Sequence, residues 1–139
     1  MPQFDAMKYA YSSHRNVVFA RKGMACSVSP VASQVGLEIL KSGGNAMDAA
    51  IAMAVTLPLV EPTGNGLGAD CFALVWSAKD QKLYGLDGSG VAPMALSADI
   101  VRAAGYDKIP LEGWFPTMVP GAPSAWAQMR RKFGTKTMA

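Results

Sequence analysis

The sequence predicts an α+β fold in which helices lie against a sheet, a piece of a layered sandwich. Three observations point to it. Residues 46–57 form a helix-length run that is apolar on nearly every side, with Met47, Ala49, Ala50, Ile51, Ala52, Met53, Ala54 and Val55 in succession, and such a helix is buried on more than one side. Residues 71–76, Cys-Phe-Ala-Leu-Val-Trp, are apolar almost without interruption, as in a strand covered on both faces. Lys79-Asp80-Gln81 then turns the chain, and Lys82–Asp87 returns as a partner strand.

The remaining elements follow in order. Residues 1–15 read as an extended arm lying on a neighbouring surface, and residues 16–139 as the domain itself. Val17–Ala20 reads as a short strand, Arg21-Lys22-Gly23 as a turn and Met24–Val28 as a second strand. Ser29 is a good helix N-cap because its hydroxyl accepts from an orphan backbone N–H, and Pro30 suits the first helical position. Ala32, Val35, Gly36, Ile39 and Leu40 then share one face. Gly36 on that face predicts a close helix contact, and Gly43-Gly44 supplies a left-handed stop. Asn45 caps the apolar helix, and Asp48 places a carboxylate in its first turn, where the helix dipole favours it. Pro58 is expected to end or kink this helix, and Glu61-Pro62 to turn the chain away. Thr63–Asp70 is a glycine-rich loop. Ser97 caps a short helix over 98–104, stopped by Gly105. Residues 106–123 are loop-rich, and a last helix is expected over 124–133, ending at Gly134.

Composition narrows the function. Half of the 139 residues are hydrophobic and 17% are charged, the reverse of a disordered chain. The formal charge is +3, and only Arg130-Arg131-Lys132 concentrates it. That triplet falls at a helix C-terminus, where cations are favoured, so it reads as a solvated helix end and no nucleic-acid partner is expected. No run approaches the ~20 apolar residues of a membrane span, and the first sixteen residues lack a signal-peptide core, so the expectation is a soluble, cytoplasmic protein without a membrane partner. Cys26 and Cys71 lack metal or redox spacing and read as buried free thiols. The methionines read mostly as core filler.

No complete catalytic group emerges from the residues alone. Gly64-x-Gly66-x-x-Ala69, with Asp87 downstream, imitates a dinucleotide fingerprint. That fingerprint needs a strand before and a helix after it, and here the order is reversed. Gly88-Ser89-Gly90 lacks the frame of a nucleophile elbow, and the sole histidine, His14, lies far upstream in the arm. Asp48, Asp70 and Asp87 could in principle hold a hard cation. Capping and turn roles account for Asp48 and Asp87 more simply, so no metal and no cofactor are expected.

Several segments in series nevertheless resemble the N-terminal part of the large subunit of the γ-glutamyltranspeptidase family. They are Lys22–Ala25, Ala32–Leu40, the block Gly-Gly-Asn-Ala-Met-Asp-Ala-Ala at 43–50 with Ile51-Ala52, and Val60-Glu61-Pro62. The series continues with the glycine loop into Phe72, Leu86-Asp87 with Ala92-Pro93, Val119-Pro120-Gly121 and Phe133-Gly134-Thr135. The resemblance implies the N-terminal portion of an N-terminal-nucleophile hydrolase-like αββα sandwich. It implies a γ-glutamyl hydrolase or transferase in which a threonine exposed by self-cleavage attacks the amide, its own α-amine serving as base.

In that family the threonine begins the small subunit, and none of Thr56, Thr63, Thr117, Thr135 or Thr137 corresponds to it. The partners implied are therefore a γ-glutamyl or other amide substrate, the remainder of the large subunit and the small subunit; a homo-oligomer is a further way to cover the sheet. Where the family carries an arginine that pairs with the substrate α-carboxylate, this chain has Ser89. Serine cannot make that bidentate charged contact, so acylase-like members acting on other amides, such as cephalosporin side chains, are as well matched as glutathione-cleaving ones. A non-catalytic binding or assembly module that keeps the family's N-terminal half is the alternative role.

Overall fold

A computed structural model describes residues 17–137. The predicted arm over 1–15, with His14, lies outside the described residues. Helix α1 spans Pro30–Lys41. Ser29 caps it as expected, its hydroxyl accepting from the Ala32 N–H, and Gly43 takes the left-handed conformation (φ +84°) that ends it. Gly36 lies where helix α2, Ala46–Val60, crosses: a Cβ there would stand 2.7 Å from the Met53 side chain. Small residues at this point let the two helices close on each other.

Helix α2 is opened by a reciprocal cap. The Asn45 side chain accepts from the Met47 and Asp48 N–H groups, and the Asp48 carboxylate accepts from the Asn45 N–H. Pro58 neither ends nor breaks the helix; it sits in the last turn and the helix continues to Val60. So close to the end, one missing N–H removes little of the ladder, and Glu61 N–H still donates to Leu57 O.

Strands β1, Cys71–Ser77, and β2, Lys82–Gly88, pair antiparallel with Cys71 opposite Gly88 and Ser77 opposite Lys82. The turn between them places Gln81 at φ +51°. Helix α3 spans Ala98–Ala103, capped by the Ser97 hydroxyl. Helix α4 spans Ala122–Phe133, beginning two residues before the expected start because Pro123 is accommodated in its first turn.

The core gathers Met47 and Ile51 of α2 with Ala122, Trp126 and Met129 of α4; Ala73, Val75 and Leu86 of the hairpin pack on it. Helix α4 thus joins the helical pair to the inner face of the sheet. A polar staple locks the far end. The buried Asp48 carboxylate accepts from the Thr135 and Lys136 N–H groups and the Thr135 hydroxyl, while Asn45 Nδ2 donates to Phe133 O at 2.6 Å. Burial pushes the Asp48 pKa up, but these hydrogen bonds outweigh it and the net shift is downward from 3.8. The staple therefore contributes fully above the ordinary carboxylate pKa and is lost as pH falls through the lowered one.

Several expectations are corrected. Residues 17–20 and 24–28 form no strands; Val17, Val18 and Phe19 are exposed. An isolated strand leaves its backbone unpaired, and no described strand lies beside this segment. Residue 27 is held to α1 by serines instead, with Ser27 N–H donating to Ser33 Oγ at 3.0 Å. The hairpin is covered on one face only: Phe72, Leu74 and Trp76 are 63%, 79% and 59% exposed. Both thiols are free, but Cys26 is exposed and Cys71 only half-buried. Met47 and Met129 fill the core, whereas Met24 and Met94 face outward. Among the described residues no helix is long and apolar enough to cross a membrane.

Candidate functional site

The C-terminal end of β2 is where three separated segments meet through backbone rather than side chains. Gly88 closes the strand, Ser89 follows, and Gly90 turns at φ +82°. Val91 and Val119 bridge antiparallel, with Val119 N–H donating to Val91 O at 2.9 Å. Gly121, the N-cap of α4, lies so close that a Cβ on it would stand 1.9 Å from Gly88 O and 2.5 Å from Gly90 N. From the other side, Ala69 O at the end of the glycine loop accepts from the Ala122 N–H at 2.9 Å. Only residues without a side chain fit such an approach. The glycine loop is thus a tight passage that docks the start of α4, and a helix precedes it and a strand follows it.

That junction holds Ser89 outward. Its side chain is exposed, and its N–H donates to Asp87 Oδ1 at 3.0 Å. The carboxylate of Asp87 is therefore the acidic group held directly against Ser89. The cations of α4, Arg130 to Lys132, lie in the last turn of that helix, about 12–15 Å along its axis from Ala122 at 1.5 Å per residue, and Arg131 lines a cleft that Asp87 also borders. A shallow hollow of about 500 Å³ runs along the outer face of the hairpin between Phe72, Leu74 and Asp87, ending two residues short of Ser89.

The three candidate metal-ligating carboxylates do not come together. Asp48 is consumed by the α2 cap and the Thr135–Lys136 staple, Asp87 holds the Ser89 turn, and Asp70 precedes β1. Among the described residues no three His, Cys, Asp or Glu side chains form a metal-sized group. The glycine loop is braced by Glu61, whose carboxylate accepts from Thr63 Oγ1 and Asn65 Nδ2.

One arrangement has no sequence signal strong enough to reveal it. The Lys132 ammonium lies 4.1 Å from the centroid of the Tyr84 ring, and Lys82 lies 5.3 Å from it. Tyr84 also meets Phe133 edge-on at 5.1 Å. The basic triplet is therefore not simply a solvated helix end. Alternation along β2 turns Tyr84 inward, but that it meets the last turn of α4 is a long-range fact.

Comparison with known proteins agrees with this geometry. Residues 32–139 match the family model described as Gamma-glutamyltranspeptidase. The glutathione hydrolase proenzyme of Pseudomonas sp. (strain A14) is 34% identical over 135 residues, covering 95% of this chain and 23% of that protein. A cephalosporin acylase from Bacillus halodurans superposes with a TM-score of 0.83 at 52% identity, over 96% of this chain and 25% of the acylase. The Helicobacter pylori gamma-glutamyltranspeptidase superposes with a TM-score of 0.77 at 30% identity, over 88% of this chain and 36% of that one. The chain spans about a quarter to a third of the length of these relatives. Its fold is the N-terminal portion of their N-terminal-nucleophile hydrolase-like architecture, with one sheet layer and its helices among the described residues. On the motif series, the family match and the superpositions together, this chain belongs to the gamma-glutamyltranspeptidase family.

Proposed function

We propose that the chain forms the N-terminal part of an amide-cleaving hydrolase or acyltransferase of the N-terminal-nucleophile class, with Ser89 on the wall of the acyl-binding pocket. The observation that carries this reading is the position of Ser89: an exposed side chain held by a side-chain-free junction at the end of the sheet, beside an apolar hollow. The attacking threonine comes from polypeptide outside these residues. Its hydroxyl adds to the amide carbonyl while its own α-amine takes the proton. That proton passes to the departing amine, and water or an acceptor amine then releases the acyl group.

Ser89 also informs the choice of acyl group. With the Asp87 carboxylate held against the Ser89 N–H and serine where the family's arginine stands, a free carboxylate bound here meets like charge. The reading therefore favours amides whose acyl portion lacks the γ-glutamyl α-carboxylate, in keeping with the 52% identity to the cephalosporin acylase. The test is an assay of γ-glutamyl-p-nitroanilide and of a carboxylate-free acyl-p-nitroanilide, with and without a threonine-bearing partner polypeptide. The 139-residue chain alone is expected to turn over neither. In the assembled enzyme, Ser89→Arg shifts preference toward the γ-glutamyl substrate by about tenfold, the value of one good charged contact. Turnover by the isolated chain, with the nucleophile mapped inside it, overturns the reading. Inactivity in every combination favours the assembly-module role instead.

A further inference from the structure

Asn16 precedes valine and Asn45 precedes alanine, but Asn65 precedes glycine. Asparagine is a chemically labile residue, and an Asn-Gly bond can convert itself. The glycine backbone nitrogen adds to the asparagine Cγ, the Cγ–Nδ2 bond breaks, and ammonia leaves with the proton that the glycine nitrogen carried. Water then opens the resulting succinimide ring at either carbonyl, giving aspartate or isoaspartate. Water is the one co-reactant, and nothing is oxidised or reduced. Glycine in the second position favours the step because no Cβ obstructs the approach and its backbone turns freely.

This site is open at the attacking residue and held at the departing group. Asn65 and Gly66 lie in the glycine loop, outside every described helix and strand. A Cβ on Gly66 would find only Gly68 N within 4 Å, at 3.9 Å. The hold is Glu61, the C-cap of α2. Asn65 Nδ2 donates to Glu61 O at 3.1 Å and to the Glu61 carboxylate, which also accepts from Thr63 Oγ1. Both Asn65 contacts fall on the nitrogen that must depart. To leave as ammonia, Nδ2 has to gain a proton. An ionised carboxylate only accepts, so Glu61 supplies none and anchors the amide where it stands.

Conversion would reverse the sign of that contact. The product carries a carboxylate where an amide N–H donated, and it faces Glu61 with like charge. Isoaspartate also routes the backbone through the side-chain carbon and lengthens the loop. Further along the same loop, Ala69 O accepts from the Ala122 N–H, the bond that docks the start of α4. We infer that Asn65–Gly66 is a self-modification site that Glu61 holds in its unmodified form, and that its conversion loosens the docking of α4. This goes beyond the enzymatic reading and does not depend on it.

The test ages the 139-residue chain in mildly alkaline buffer, with and without urea. Peptide mapping by mass spectrometry counts conversion at Asn65 through the mass gained when water replaces ammonia. In urea the unaltered chain and Glu61→Ala should convert at the same rate, since the contact is then broken. In buffer the unaltered chain should be slower than in urea by at least about tenfold, the worth of one hydrogen bond to a charged group. Glu61→Ala should recover most of that loss. Glu61→Gln, which keeps the length and loses the charge, should fall between them and tests the hold should the alanine variant fold poorly. Amide exchange at Ala122 should quicken in the converted chain. Equal rates in buffer and urea, a folded Glu61 variant as slow as the unaltered chain, or unchanged exchange at Ala122 after conversion overturns the proposal.

Discussion

The two faces of the β1–β2 hairpin are nearly equal in apolar character and opposite in fate. Ala73, Val75 and Leu86 on the inner face pack against the cluster formed by α2 and α4, whereas Phe72, Leu74, Trp76 and Leu83 on the outer face meet solvent. The difference does not come from side-chain chemistry. It comes from which face this chain supplies with a covering layer. The relatives are about three to four times longer, and a strand apolar on both sides fits a sheet that two layers enclose.

The largest effect that can break this comparison is a pair of tryptophan truncations. Trp126 is 6% exposed and Trp76 is 59% exposed. Trp126→Ala should cost about 3–5 kcal/mol in urea unfolding, the range for removing a buried aromatic. Trp76→Ala should change stability by less than about 0.5 kcal/mol. Equal losses would mean that the outer face is covered after all.

Two glycines on β2 sharpen the comparison at the next level. A Cβ at Gly88, on the inner face, would stand 2.7 Å from Cys71 O and 2.8 Å from Ala125 Cβ; at Gly85, on the outer face, its nearest neighbour is Leu74 Cδ2 at 3.8 Å. Gly88→Ala should therefore destabilise by about 1–3 kcal/mol through overpacking. Gly85→Ala should be neutral or stabilise by up to about 1 kcal/mol, because alanine loses less backbone entropy in a strand. Circular dichroism melts of the two variants decide it, and a reversed order would show that the faces have been exchanged.

The smallest effect is chemical. Burial pushes the Cys71 thiol up, helped by the nearby Asp70 charge and opposed by its hydrogen bond with Trp126, while Cys26 is exposed. With a higher pKa and less access, Cys71 holds less reactive thiolate at neutral pH. Cys26 should react first with a disulfide reagent, as followed by mass spectrometry. Prior reaction at Cys71 would mean that the inner face opens readily.

The elements built from local rules are legible in the residues themselves. The Ser29 and Asn45 caps, the Gly43 stop, the close approach at Gly36 and the hairpin turn at 79–81 each rest on residues within a few positions of one another. Segments 17–20 and 24–28 have strand-like composition and form no strand for the complementary reason: a strand needs a partner, and β-forming side chains do not supply one. At the candidate site, the Gly88-Ser89-Gly90 break and the Val119-Pro120-Gly121 motif can each be read along the chain. That Gly121 closes on Gly88 and Gly90 cannot, since about thirty residues separate them.

By itself, then, the amino-acid sequence determined where helices start and stop, which stretches are apolar enough to be enclosed, and the family through a series of short motifs. Capping, periodicity and turn chemistry act over a handful of residues, so the order of residues is enough to express them. Only the tertiary structure decided that the Asp48 carboxylate accepts hydrogen bonds from Thr135, that Lys132 lies over Tyr84, and that, among the described residues, one face of the hairpin stands open. Those outcomes depend on which distant segments arrive at the same place, and packing settles that only when the whole chain is assembled.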